Sequence, residues 1–393
     1  MPVMSVPVIY NLRSIRARWG STLVAVAGIA GVVAVFVAML SMAQGFRKTL
    51  VSSGSTRNAM VRRGGANSEM ESVVTLNQVK IIQDGPGVVR RADGRPLVSP
   101  EAVVIAAFHH RATDSDALAQ IRGLSPIALE VHEGVRVVRG RFFEPGQPEL
   151  VVGRNAHNMY TGLELGDEIK FGGRAWRVVG WMDAGGTSFD SEVWADSDLL
   201  LQTYQRPTWV FSSCTLRLTS PDALGDFQRA IEGDPRLNLQ ADRETDYFAK
   251  QSRAVATMIT VLGYLVAFVM GVGAVFGALN TMYSAIAART REIATLRALG
   301  FSGGDVMLSM VVESLVIAAI GGILGCILVQ PINGHTTSTI NWQTMSQLAF
   351  AFQITPRLMV QGFLFALFMG AIGGFLPALR ASRIPVASAL REL

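Results

Sequence analysis

Four stretches of this chain are so long and so free of charge that no water-facing fold accommodates them. They are 22–42, 258–283, 306–329 and 358–376, and only Glu313 interrupts them with a charged side chain. A hydrocarbon core about 30 Å thick is crossed by about 20 helical residues, so each run predicts a membrane span. With its boundary residues, each occupies 21–43, 255–284, 306–329 and 357–377. Charged residues make up only 17% of the chain, against about 25% in soluble domains. A disordered chain and an ordinary soluble enzyme are thereby excluded.

Orientation follows from the arginines beside the spans, because cytoplasmic loops collect Lys and Arg. Arg13, Arg16 and Arg18 precede the first span, Arg289, Arg291 and Arg297 lie between the second and third, and Arg380, Arg383 and Arg391 follow the fourth. The segment 330–356 carries no Asp, Glu, Lys or Arg. Both termini and the connection 285–305 are therefore expected in the cytoplasm, with 44–254 and 330–356 outside. The first span exceeds the roughly 7 to 15 residues of a secretory h-region, so it reads as a retained anchor. Before it, Val8, Leu12, Ile15 and Trp19 recur at helical spacing, which predicts an amphipathic interfacial helix over 1–20. The net charge of +5 resides in arginines next to apolar runs, which fits the lipid bilayer as partner and excludes nucleic acid.

The outer segment 44–254 reads as an α+β domain. Strands are expected at 59–63, 97–107, 135–138, 150–152, 176–181 and 213–218, and helices at 76–84 and 221–232. The part from about 120 to 205 is richest in strands and is expected as an insertion. His109, His110 and His132 come without any metal-ligand spacing, and Ser188, Asp190 and Glu192 without a nucleophile elbow. They read as packing or surface residues, with no catalytic group and no metal. Cys214 and Cys326 fall in segments of opposite character and are not expected to pair. No proline occurs from Thr245 to Arg289, which predicts one helix about twice as long as a membrane is thick. The first span is likewise expected to continue through Phe46 and Leu50 to a stop at Gly54, giving two stalks.

Between the second and third spans, Ile293, Leu296 and Leu299 repeat every third residue against Arg291, Glu292 and Arg297. This predicts a short amphipathic helix closed by Gly300. Glu313, two turns into the third span, is expected to pair with an arginine near the cytoplasmic surface, because a lone carboxylate in a span is costly. Gly273 and Gly277, Gly321 and Gly325, and Gly370 and Gly374 form small-xxx-small pairs suited to close helix packing. Gly-Lys-Ser or Gly-Lys-Thr occurs nowhere, so the chain is expected to bind no nucleotide of its own.

The run Thr290-Arg291-Glu292-Ile293-Ala294-Thr295-Leu296-Arg297-Ala298-Leu299-Gly300, the Val312-Glu313-Ser314-Leu315 segment, and the tail Pro377 to Arg383 with Pro385 and Arg391 resemble the MacB/FtsX-type permeases of ABC transporters. Asn11-Leu12-Arg13 fits as well. The resemblance implies four transmembrane helices with a large α+β, MacB-like periplasmic core domain between helices 1 and 2, set in a bacterial inner membrane. It implies a separate ATPase subunit that binds ATP and Mg, a second permease copy, and a periplasmic adaptor. The segment 285–305, with Arg289, Arg291, Glu292, Ile293, Leu296, Arg297, Leu299 and Gly300, would be the coupling helix. The tail residues Arg380, Arg383 and Pro385 would lie on the same face. A non-transporting regulator of an extracytoplasmic enzyme and a lipoprotein-releasing permease share this frame.

Overall fold

The computed structural model describes residues 19–383. Val8, Leu12 and Ile15 with Arg13, Arg16 and Arg18, and the tail residues Pro385 and Arg391, lie outside the described residues. The chain divides into two compact units, one of Met1–Gln44, Thr257–His335 and Phe352–Leu393, the other of Gly45–Ala256 and Thr336–Ala351.

Helix α1 (Trp19–Val51) carries the chain into the second unit. There β1 (Asn58–Arg63) and β2 (Val74–Thr75) precede α2 (Leu76–Gln83), whose start is fixed by a capping box between Thr75 and Gln78. The long β3 (Val98–His110) turns back as β4 (Ser115–Leu124) and leads to α3 (Ala128–Val131). Then follow β5 (Arg136–Gly140), β6 (Glu149–Gly153), α4 (Arg154–Met159), β7 (Glu168–Phe171) and β8 (Arg174–Asp183). A 3-10 turn at Ser188–Ser191 precedes β9 (Val193–Asp196) and α5 (Ser197–Thr203). The domain closes with β10 (Val210–Phe211), β11 (Ser213–Arg217), α6 (Leu224–Glu232) and β12 (Leu239–Arg243).

One sheet, in the order β12-β1-β11-β3-β4-β9-β6-β8-β5 with β7 on β8, joins all of this except the β2–β10 ribbon. Strand β3 is the junction. Its Val98–Glu101 end pairs with β11, and Ala102–His110 pairs with β4. Each half feeds a separate core. Val61, Val79, Ile82, Leu216 and Phe227 fill the first under α2 and α6, and Phe108, Ile121, Tyr160, Trp176 and Leu200 fill the second. The strand-rich part expected from about 120 to 205 thus begins earlier, at β4, and shares a strand with its base instead of standing apart.

Helix α7 (Glu244–Ala287) is continuous over 44 residues, about 66 Å at 1.5 Å per residue. After it come α8 (Thr290–Ala298), α9 (Gly303–Leu328), the hairpin β13 (Thr336–Asn341) and β14 (Ser346–Ala351), and α10 (Pro356–Ser382). The hairpin is a departure from the loop expected over 330–356. Alternating Thr337, Thr339 and Phe350, Leu348 suit paired strands, and the hairpin belongs to the second unit. There Phe350 meets Phe46 edge-on at 5.6 Å, and Ser191 Oγ accepts the Ala349 amide at 3.0 Å.

In the first unit Val33, Phe36, Val37, Ala267, Ala318, Cys326, Leu358 and Ala366 form one core shared by α1, α7, α9 and α10. Among the described residues, four helices have the length and apolarity to cross a membrane. Leu265, Phe268, Val269 and Phe276 on α7 remain exposed. A continuous outward apolar face of this kind matches lipid as its solvent.

Candidate functional site

Helix α8 is held in place from several sides. Ile293 is buried with Met282, Ile286, Val306, Met310, Ala378 and Ala381, so α8 shares a small core with the adjoining ends of α7, α9 and α10. Arg289, just before α8, is buried, and its Nη1 lies 3.4 Å from Glu313 Oε2. Its Nε lies 3.7 Å from Glu292 Oε2. At the other end, Arg297 Nη1 donates to the Ser382 carbonyl at 3.1 Å. A Cβ on Gly303 would sit 2.9 Å from that same oxygen. Gly300, with φ +102°, ends the helix in a backbone region that favours glycine. Ser302 and Asp305 then cap α9 reciprocally, with the Ser302 amide donating to Asp305 Oδ2 at 2.8 Å.

One residue departs from its expected face. Leu296 is half-buried, but Leu299 is 69% exposed and does not continue the Ile293 stripe. Six residues carry a side chain about two-thirds of the way around a helix, so a strict three-residue repeat drifts off the buried side. The exposed surface of α8 and its C-cap consists of Arg291, Glu292, Thr295, Ala298 and Leu299. Of the tail residues, Arg380 places its guanidinium 5.6 Å from the Tyr283 ring centre, and Arg383 caps α10 on the surface. This face offers mixed charge and one apolar side chain on a fixed backbone. Among the described residues, this face assembles no nucleophile or acid-base pair.

The three glycine pairs differ in use. A Cβ on Gly321 would approach Ile29 Cβ to 2.9 Å, and one on Gly325 would approach the Ala30 carbonyl to 2.7 Å. Gly370 and Gly374 admit Ala318 and Ser314 of α9 in the same way. Gly273 and Gly277 have nothing within 4 Å. They line an open groove of about 370 Å³ with Val24, Ala25, Gly28 and Ala274.

The second unit contains a polar cluster that sequence reasoning missed. Arg122 is fully buried and pairs with Glu69 at 2.7 Å, Glu101 at 2.7 Å and Glu192 at 2.8 Å. His132 Nε2 lies 2.8 Å from Glu101 Oε1. Burial alone would raise the Glu101 carboxyl, but the charges of His132 and Arg122 outweigh it and hold the pKa at about 2. The available signal was a set of ionisable residues inside otherwise apolar strand patterns, which is costly unless they are paired. His109 is half-exposed beside Asp114 and Asp116. Ser188 Oγ shares a hydrogen with Ser53 Oγ at 2.8 Å, and Asp190 accepts the Ala184 and Gly186 amides at 2.7 Å. Among the described residues no group of three or more His, Cys, Asp or Glu is placed to hold a metal, and Cys214 and Cys326 are both free and buried.

The described residues combine four apolar helices of membrane-crossing length with a large α+β domain. Residues 22–234 match the MacB-like periplasmic core domain and residues 254–386 match the FtsX-like permease C-terminal domain, so the chain belongs to the MacB/FtsX family of ABC transporter permeases. Among its relatives, the uncharacterized ABC transporter permease YknZ of Bacillus subtilis is 24% identical, covering 83% of this chain and 81% of the relative. The macrolide export ATP-binding/permease protein MacB of Bordetella avium is 28% identical, covering 75% of this chain and 46% of the relative. This chain thus spans about half the length of that MacB relative. A crystal structure of the periplasmic region of MacB from Actinobacillus actinomycetemcomitans aligns with 49% of this chain and 92% of its own, at 12% identity and a TM-score of 0.37. The family implies an ATPase partner.

Proposed function

We propose that this chain is the permease subunit of an inner-membrane ABC transporter, moved by a separate ATPase and delivering that motion to a periplasmic domain that exports or extracts a substrate. The observation that carries the reading is α8. It is fixed through Ile293, Arg289 and Arg297, yet presents Arg291, Glu292, Thr295, Ala298 and Leu299 outward. A rigidly mounted surface with an exposed leucine is what an ATPase can grip and push. ATP and Mg would be bound by that partner.

Orientation in this reading follows the arginine pattern, with both termini and α8 cytoplasmic and 44–254 periplasmic. Continuous α1 and α7 would carry the stroke, since a helix without a break transmits axial displacement. A second permease copy would lie against the open groove lined by Gly273 and Gly277, which is unfilled where the Gly321–Gly325 and Gly370–Gly374 pairs are filled by neighbouring helices.

The experiment is a Leu296→Asp, Leu299→Asp double variant in the reconstituted complex. ATPase stimulation by the permease should fall at least tenfold, or the ATPase should no longer co-purify. Unchanged stimulation and unchanged assembly would remove α8 from the coupling role.

A further inference from the structure

His132 follows α3 in the second unit and is 4% exposed. Its Nε2 lies 2.8 Å from Glu101 Oε1, and its Nδ1 lies 3.5 Å from Glu244 Oε1. The two carboxylates come from distant parts of the chain. Glu101 sits on β3 where pairing passes from β11 to β4, and Glu244 is the first residue of α7.

Glu244 also gathers the segment that follows α1. Its Oε2 accepts the Ser55 amide at 2.8 Å and Asn58 Nδ2 at 3.0 Å. Asn58 Nδ2 donates to the Val131 carbonyl as well, at 3.0 Å, which fixes the orientation of its amide. Gly54 lies so close that a Cβ there would sit 2.5 Å from the Thr245 nitrogen. One carboxylate therefore joins the roots of both long helices within this unit, and His132 joins that carboxylate to the central strand.

A neutral imidazole carries one N–H and no charge, whereas an imidazolium keeps the hydrogen bond to Glu101 and turns its second N–H, with a positive charge, toward Glu244 in an ionic contact at 3.5 Å. The charged groups facing His132 are Glu101 from β3, Glu244 from α7 and, opposing them, Arg122 from β4. Arg122 is itself engaged by Glu69, Glu101 and Glu192, and neighbouring Glu133 pairs with Arg217. The remaining contacts are the Phe189 and Trp194 rings, at 4.8 and 5.9 Å. Burial pulls the imidazole pKa down, but the Glu101 charge and hydrogen bond, with Glu244, outweigh burial and raise it above the ordinary histidine value.

We propose that His132 is the pin of a protonation-controlled clasp, tying the roots of α1 and α7 to β3 while both ring nitrogens carry protons and slackening that tie when one proton leaves. In the unfolded chain His132 reverts to its ordinary value. The stabilisation is therefore fully present below that value and is lost as pH rises through the raised folded-state value. The clasp is closed on the acid side of the raised His132 value and loosens on its alkaline side.

The test uses the full chain in nanodiscs, with ring-labelled histidine read by NMR and backbone amides read by hydrogen exchange. His132 is expected to titrate above the ordinary histidine value. As it loses its proton, protection of the Ser55 amide and the first turn of α7 should drop about tenfold beyond the intrinsic pH effect on exchange. Glu244→Gln keeps an acceptor for Ser55 but removes the charge, and should lower the His132 midpoint by about one pH unit, a tenfold change in proton affinity. His132→Gln should abolish the pH step. Titration of His132 at or below the ordinary value overturns the clasp, and this reading needs only the wild-type chain. An undiminished pH step in His132→Gln overturns it equally.

Discussion

Arg289 Nη1 stands 3.4 Å from Glu313 Oε2, and both side chains are withdrawn from solvent. The pair joins the residue before α8 by an ionic contact to a position about three turns into α9, a helix of membrane-crossing length. Removing one partner of a buried ion pair generally costs about 3–5 kcal/mol. Glu292, 3.7 Å from Arg289 Nε, is exposed and compensates only weakly.

Glu313→Gln should therefore lower the Tm of the purified chain clearly, and Glu313→Asp, which retains the charge at a longer reach, should lower it less. Thermal unfolding of the two variants side by side checks this order. Equal, wild-type Tm values in both would show that the contact contributes nothing.

The glycines of α10 make a sharper steric prediction. A Cβ at Gly370 would lie 2.3 Å from Ala318 Cβ, and one at Gly374 would lie 2.0 Å from Ser314 Oγ. Both neighbours are short side chains on a packed helix, so the helices must separate, and overpacking of this kind costs about 1–3 kcal/mol. Gly370→Ala should destabilise the chain while Gly273→Ala, with nothing within 4 Å, should not. If Gly273→Ala instead alters only the oligomeric state on native gels, the groove it lines is the contact between copies.

Ile293 and Leu299 separate folding from docking. Ile293 is 1% exposed and Leu299 is 69% exposed. Ile293→Asp places an unpaired charge in the small core around α8 and should cost several kcal/mol, lowering expression and Tm together. Leu299→Asp should leave folding stability within about 0.5 kcal/mol of wild type and reduce only ATPase association, measured by co-purification.

The helices were legible because uncharged runs of lipid length have few alternatives, and the family was legible because the segment from Thr290 to Gly300 is distinctive. Less could be read of how α8 faces its neighbours, since a three-residue repeat seen as one stripe rotates off the core by Leu299. Strand β4 escaped notice because Gln120 and Arg122 occupy buried positions where apolar residues would mark a strand. Those positions are tolerable because Glu192, just before β9, and Glu101 on β3 reach them, a long-range pairing that no local pattern records. The β13–β14 hairpin was hidden for the opposite reason. Its lack of charge served as a topology signal, and its threonine-rich alternation was left unread.

The Arg122 cluster carries the final prediction. Arg122 faces Glu69, Glu101 and Glu192 with all four side chains buried, and replacing it with Met removes the common counter-charge from three carboxylates. Because breaking one buried pair already costs about 3–5 kcal/mol, Arg122→Met should be strongly destabilised near neutral pH. Lowering the pH should partly rescue it, since protonation relieves the stranded carboxylates. Wild type should behave in the opposite sense. Glu101 titrates at about 2 in the fold against an ordinary value of 4.5, so its contribution is present above 4.5 and is lost as pH falls from there toward 2. Urea unfolding of both proteins between pH 5 and pH 3 should give stability that falls with acid in wild type and rises with acid in the variant. Parallel profiles would mean that the guanidinium is not what holds these carboxylates together.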